Sequence, residues 1–371
     1  MATLLALDLP LGPDLESAVR RCVEEGQAFC VLDQRLSASR RRGELEVLGA
    51  THVLDAAGRR ALNEGADVSP DVGVVMLTSG SSGTPKAAQL SWAALRASAE
   101  LTTRVLGHGR DSVWYPCLPA NHIGGLAVIL RAVLADARLL WGDPHDLAIG
   151  PGRGATHIAV VRAQLRRFDL SAYDVVLLGG ARPPGDLAAN VVVTWGMTET
   201  GSGVVYDGWP LPGVEMAIVD GELCVRSPTL FTSYRHSPRP SRTGPDGRDD
   251  WFPTGDAADL VEGRLRVHGR LGFVINTGGE KVWPDDLETV LSAVTGVRDV
   301  AVTSVDDDEW GQRVVALVVS DGILDAALRA AATERIGPWA QPREVHYVTS
   351  IPRTPGGKIR RGELRTLLAD D

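Results

Sequence analysis

Residues 78–86 read TSGSSGTPK, a run of hydroxyls and glycines that ends on Lys86. Glycines let backbone N–H groups approach an anion, hydroxyls donate to it and a lysine neutralises it, so the segment suits a phosphate chain. Its candidate ligands are Thr78, Ser79, Gly80, Ser81, Ser82, Gly83, Thr84 and Lys86. It is not a Walker loop, because Pro85 precedes the lysine and no Gly-Lys-Ser/Thr follows, and a GxGxxG dinucleotide pattern is absent.

Four further segments carry usable chemistry. In WGMTET at 195–200, Glu199 follows an apolar stretch and could ligate a Mg²⁺ ion that bridges phosphates. An ordinary strand-end turn would read the same. In WFPTGD at 251–256, Asp256 can chelate a ribose diol, as acidic residues do in nucleotide sites. Gly269 and Arg270 precede a TGGEK segment at 277–281. Near the C-terminus, PRTPGGK at 352–358 presents Lys358 on a Gly-Gly loop, from which it can be carried to a reaction centre. A basic tail would also fit that last segment.

These residues need elements to hold them. Residues 72–77 form an apolar run fit for a buried strand, and Ser91 can cap a helix with Leu95, Ala99, Thr102 and Leu106 on one face. Upstream, 15–23 reads as helix, and 29–32 and 52–54 as short strands. Apolar runs at 126–134, 158–161 and 175–178 continue an alternation that predicts a mostly parallel α/β core. After about residue 205, short strands at 214–219, 222–225 and 265–267 predict a β-rich subdomain. Residues 235–250, rich in Pro, Gly and charge, read as an exposed loop. Helices at 284–294 and 324–336, with strands at 300–305, 314–319 and 344–348, predict a compact α+β unit. The expected fold is therefore α/β: a large N-terminal domain (1–270) with a β-rich subdomain, and a small, mobile C-terminal α+β domain (271–371).

The bulk numbers exclude several classes. A 371-residue chain holds two or three domains, and 44% hydrophobic residues allow a core without disulfides or structural metal. A net charge of −9 argues against a nucleic-acid surface. Cys22, Cys30, Cys117 and Cys224 form no CxxC pair and sit at no metal-ligand spacing. The first residues lack a basic n-region, and no apolar run reaches the length of a membrane helix. A cytoplasmic protein is expected, with no nucleic-acid or membrane partner and with a homodimer left open.

In order and spacing the five segments resemble the adenylate-forming superfamily of acyl-CoA ligases, peptide-synthetase adenylation domains and luciferases, from about residue 25 onward. The resemblance implies that 78–86 holds the ATP phosphates and that Gly179, Gly180 and Ala181 line the adenine. Trp195 stands where the family has a stacking tyrosine, followed by Gly196 and Met197. Thr198 is implied at the α-phosphate, Glu199 at Mg²⁺, and Asp256 and Arg270 at the ribose. Lys358 would bridge the attacking carboxylate and the α-phosphate. After a rotation of the small domain, Gly278, Gly279 and Glu280 would line the pantetheine of coenzyme A. At the hinge the family has Asp or Lys, and this chain has Gly272.

More narrowly, LPANHIGGL at 118–126 with Arg131, Thr156-His157 and Gln164-Leu165 is similar to the 2-succinylbenzoate–CoA ligases of menaquinone synthesis. That likeness implies a small carboxylic acid substrate with His122 at the acyl end of its adenylate. A spectator carboxylate would need a cation, for which Arg131, Arg162, Arg182 and His157 are candidates. Those ligases commonly have Pro-Thr where this chain has Arg162-Ala163. A ligase for another acid, or an enzyme loading a carrier-protein thiol, is the alternative.

Overall fold

The computed structural model describes residues 1–78, 85–107, 109–354 and 357–368. They form two compact units, one of residues 1–216 and 225–252, the other of 217–224 and 253 onward.

Two sheets build the first unit. In one, the buried strands Leu5–Leu7, Phe29–Val31 and Val72–Thr78 lie parallel, with His52–Asp55 parallel on the far side of Leu5–Leu7. Lys86–Ser91 then returns antiparallel to Val72–Thr78, pairing Thr78 with Lys86. The phosphate-loop candidate therefore joins two antiparallel strands, where the sequence pointed to a strand followed directly by a helix. Short antiparallel strands at Ser233–Tyr234 and Ser237–Pro238 extend that edge. The second sheet runs Val113–Tyr115, His157–Val161, Val175–Gly179 and Val191–Met197 in parallel, then turns antiparallel at Ser202–Tyr206. Both sheets are thus mixed: antiparallel strands flank the parallel ones on both sides of the first sheet and on one side of the second.

Helices Trp92–Leu106 and Ile123–Ala135 pack on each other between these sheets. Ser91 caps the first, its Oγ accepting from the amide of Ala94 at 3.1 Å. Leu95, Ala99 and Thr102 of the expected face are buried. The second helix is apolar on nearly every side and buried from Gly125 to Ala132. Gly125 is required there, since a Cβ would sit 2.3 Å from the carbonyl oxygen of Pro119. Leu126, Ile129 and Leu130 join Leu95, Val74, Met76, Phe29 and Phe231 in one core. Each such side chain contributes roughly 1.5–3 kcal/mol of burial free energy.

In the second unit, strands Phe252–Val261 and Arg264–Arg270 form a hairpin. The remainder packs helices Pro284–Ser292 and Asp325–Arg335 on a sheet of Ile275–Thr277, Glu280–Val282, Val297–Asp307, Gly311–Ser320 and Glu344–Tyr347. The division between units falls at Phe252/Pro253, so this hairpin, up to Arg270, clusters with the C-terminal residues. Among the described residues no helix is long and apolar enough to cross a membrane.

Candidate active site

Strand Val191–Met197 ends in a single tight turn, Thr198–Thr200. Thr200 holds it: its buried hydroxyl accepts from the amide of Met197 at 2.8 Å and lies 2.7 Å from the carbonyl oxygen of Ser202. Gly196 is needed where the neighbouring strand crosses closest, since a Cβ would meet the Ser202 carbonyl oxygen at 2.1 Å. The turn projects Glu199, whose Oε1 accepts a hydrogen bond from the Tyr234 hydroxyl at 3.0 Å. The same Tyr234 ring lies 5.1 Å from Lys86 Nζ. One tyrosine thus ties the lysine of the first motif to the glutamate of the second. Tyr234 carried no signal in the sequence, because its two partners lie far from it along the chain.

Ser79, Gly80, Ser81, Ser82, Gly83 and Thr84 lie outside the described residues. Thr78 and Lys86 face each other across the strand pair, with Lys86 exposed. Gly179 ends its strand against Thr194, where a Cβ would meet the threonine hydroxyl at 2.9 Å, and Gly180 turns away at φ 82°. Trp195 is half-buried on the adjoining strand and Ala181 is exposed. Both are thus placed beside the Gly179–Gly180 turn.

A carboxylate site for Mg²⁺ must leave room for water and phosphate, because this ion keeps several waters and takes one or two carboxylates. Glu199, anchored through Oε1 by Tyr234, fits such a site. Among the described residues no cluster of three or more His, Cys, Asp or Glu forms a protein-only metal cage.

His122 caps the helix Ile123–Ala135, and its Nε2 lies 3.4 Å from Arg35 Nη2. Of the four candidate cations, the structure separates two. Arg131 is 3% exposed inside that helix, its guanidinium 5.0 Å from the Trp114 ring, and Nε and Nη1 make no hydrogen bond among the described residues. Burial pulls its pKa down. His157 is buried against Trp114 at 5.0 Å, and burial, with help from Arg131, lowers its pKa to about 4. It is neutral near pH 7 and supplies no cation, contrary to its place among the candidates. Arg162 and Arg182 are half-buried.

In the second unit Asp256 and Arg270 are register partners, and Arg270 Nε lies 3.0 Å from Asp256 Oδ1. Arg270 also donates to the carbonyl of Thr254 at 2.6 Å, while buried Glu222 accepts from the amide of Gly255 at 2.7 Å. Gly278 and Gly279 form a two-residue hairpin turn between Thr277 and Glu280, both with positive φ (60° and 86°). That backbone is the reason for the Gly-Gly pair. Lys358 is exposed, its carbonyl accepting from the amide of Thr354 at 2.7 Å. Arg353 grips Asp299 through two nitrogens and donates to the carbonyl of Gly357 at 2.8 Å. Arg361, one turn on, is clamped by Glu288 at 2.8 and 3.0 Å and also bonds Asp285.

A family model of AMP-binding enzymes matches residues 9–235, and one of the AMP-binding enzyme C-terminal domain matches 286–358. The chain belongs to the AMP-binding enzyme family. Among curated relatives, a probable 2-succinylbenzoate–CoA ligase of Mycobacterium tuberculosis is 38% identical over 82% of this chain and 86% of its own length. A 2-succinylbenzoate–CoA ligase of Geobacillus kaustophilus is 31% identical over 93% of this chain and 79% of its own. The solved structure of o-succinylbenzoate CoA synthetase (MenE) from Bacillus subtilis with its acyl-adenylate has a TM-score of 0.83 at 24% identity, covering 98% of this chain and 88% of that one. ATP-bound MatB from Rhodopseudomonas palustris also reaches a TM-score of 0.83, at 20% identity, covering 100% of this chain and 89% of that one. These two likenesses establish a shared fold and do not choose between acids.

Proposed function

We propose that this chain is an ATP-dependent 2-succinylbenzoate–CoA ligase. The aliphatic carboxylate of the acid attacks the α-phosphorus of ATP, a P–O bond forms and pyrophosphate leaves. The thiol of coenzyme A then attacks the acyl carbonyl and AMP departs.

The relatives named above support the acid, and Arg131 is the observation that carries it. Burying a guanidinium with no carboxylate partner costs several kcal/mol, and a desolvated cation–π contact such as that to Trp114 returns only about 2 kcal/mol of it. The helix thus holds a cation that its own surroundings do not neutralise. A substrate with a second carboxylate supplies the missing charge, whereas a monocarboxylic acid does not. Arg131 borders a void of about 10 Å³ lined also by Ile123, Ser98 and Gly201, the size of one water.

The remaining roles follow from charge. Two anions must meet, so cations belong where negative charge develops. Lys86 serves the phosphate chain and Lys358 the approach of carboxylate to α-phosphorus. Glu199 would hold the Mg²⁺ that neutralises phosphate charge, with Thr198 donating at the α-phosphate and Trp195 stacking on the adenine. Asp256 accepts from the ribose hydroxyls and Arg270 keeps its carboxylate in place. The Gly278–Gly279 turn with Glu280 lines the pantetheine in the second step. ATP, Mg²⁺ and coenzyme A are then the required small molecules.

The test is pyrophosphate release with ATP, Mg²⁺ and 2-succinylbenzoate, followed by mass analysis after adding coenzyme A. A 2-succinylbenzoyl-CoA product is the expected result. Release with another acid only would move the enzyme to a different substrate. Pyrophosphate without any CoA thioester would instead favour a carrier-protein thiol as acceptor.

A further inference from the structure

We propose that Arg35, braced by Asp33, is a positioning residue that fixes the His122 ring with its proton on Nδ1. The proposal rests on the ligase reading, under which the likeness to 2-succinylbenzoate–CoA ligases puts His122 at the acyl end of the adenylate.

The bracing is strong. Arg35 Nε and Nη2 each donate to Asp33, both at 2.7 Å, and the Arg35 amide donates to the same carboxylate at 3.0 Å. Asp33 is 7% exposed, and its own amide is bound by Glu44 at 3.1 Å. Burial alone would raise the Asp33 pKa; hydrogen bonds and charge from Arg35 outweigh it and hold the carboxyl low. The bidentate pairing orients the guanidinium at the surface, and in that orientation Nη2 lies 3.4 Å from Nε2 of the exposed His122.

A guanidinium has donors only, so this contact requires a lone pair on Nε2. The ring proton must then sit on Nδ1. The His122 backbone is fixed separately, its carbonyl accepting from the amides of Gly125 and Leu126 at 3.1 and 3.0 Å. Arg35 thus selects the tautomer, while the helix start fixes the position. The other tautomer would turn a lone pair toward whatever faces Nδ1. An acyl carbonyl or carboxylate oxygen, being an acceptor, is recognised by the N–H form and repelled by the lone pair. Sequence gave no hint of this pair, since Arg35 and His122 are 87 residues apart.

The decisive readout does not need turnover. In full-length protein labelled with ¹⁵N-histidine, the His122 signals, assigned by their loss in His122→Gln, report the tautomer directly. We expect the Nδ1–H form in the wild type and a mixture of tautomers in Arg35→Ala. Arg35→Lys, which keeps a charged donor, should restore most of the Nδ1–H signal. In kinetics, Arg35→Ala should raise KM for the acid about 5- to 30-fold, with a smaller effect on kcat and none on KM for ATP. An unchanged tautomer in Arg35→Ala overturns the proposal. If KM for the acid rose without any change in tautomer, Arg35 would be a direct substrate ligand, and the positioning role would fall. If 2-succinylbenzoate proved not to be a substrate, the function proposed above would fail while the tautomer result would stand.

Discussion

At the scale of single residues, two side chains are expected to behave oppositely from most buried or catalytic groups. Arg131→Met keeps volume and removes an unpaired buried charge, so stability should hold or rise. The same change should raise KM for 2-succinylbenzoate about 10- to 100-fold, the usual worth of a hydrogen bond to a charged group. A monocarboxylate analogue should lose little. Thermal midpoints and KM values for the two acids check this, and a destabilised variant with unchanged KM would remove Arg131 from the acid site. Lys358→Ala makes a different split. Adenylation should fall by ~10²-fold or more, because one positioned charge at such a transition state is worth that much. Conversion of pre-made acyl-adenylate and CoA to thioester should survive. Equal loss in both half-reactions would make the lysine structural. Sequence alone pointed to both residues, but only burial distinguished Arg131 from His157. A lone histidine beside a threonine gives no sign that its pKa falls to about 4. Tyr234 and Arg35 were missed for a related reason: each acts through a partner distant in the chain, and no local pattern marks such a pair.

At the scale of elements, the lysine segment depends on what grips its flanks. The Arg361 and Glu288 side chains are only 11% and 12% exposed, and the arginine is bound to both Glu288 and Asp285. Removing Glu288 leaves the buried guanidinium with Asp285 as its remaining carboxylate partner. Glu288→Leu should therefore cost about 1.5–3 kcal/mol, the worth of hydrogen bonds to a charged group. The double variant Glu288→Leu/Arg361→Met should recover most of that loss, and a double-mutant cycle from denaturant unfolding of the four proteins measures the coupling. Additive effects would mean that the pair does not hold the segment. Elements with strong periodicity were legible in advance, among them strand Val72–Thr78 and helices Pro284–Ser292 and Asp325–Arg335. Weakly patterned ones were not. Helix Ala38–Leu48 contains three successive arginines and fully buries Leu48 alone, so no apolar stripe announces it. Strand Lys86–Ser91 is short and follows a loop that reads as a helix approach. Leu5–Leu7 lies in an N-terminal stretch considered only as a leader, and set aside as one, with no strand assigned to it. Tertiary pairing, rather than local propensity, makes strands of these two.

At the scale of the whole molecule, the buried histidine sets an acid limit on stability. His157 titrates near 6.5 when unfolded and about 4 when folded, chiefly because burial disfavours its charged form; Asp174 opposes the shift and Arg131 adds to it. Between those values the unfolded chain binds more protons, so stability falls as pH drops from 6.5 toward 4. At about 1.4 kcal/mol per unit, the loss reaches on the order of 2–3 kcal/mol near pH 4. A depressed carboxylate such as Asp33 contributes in a lower window, because its stabilisation persists until pH falls below the ordinary carboxylate range. The acid response should therefore come in two stages, with the histidine first. Hydrogen exchange in strand His157–Val161 is the local readout, since it does not require the two units to unfold together. Wild-type protection, corrected for intrinsic exchange, should decline between pH 6.5 and 4.5. His157→Phe, which keeps an aromatic ring beside Trp114 and cannot take up a proton, should show a flat profile over that range. If both proteins declined in parallel, the buried histidine would not be the group that senses acid, and carboxylate protonation would have to account for the whole response.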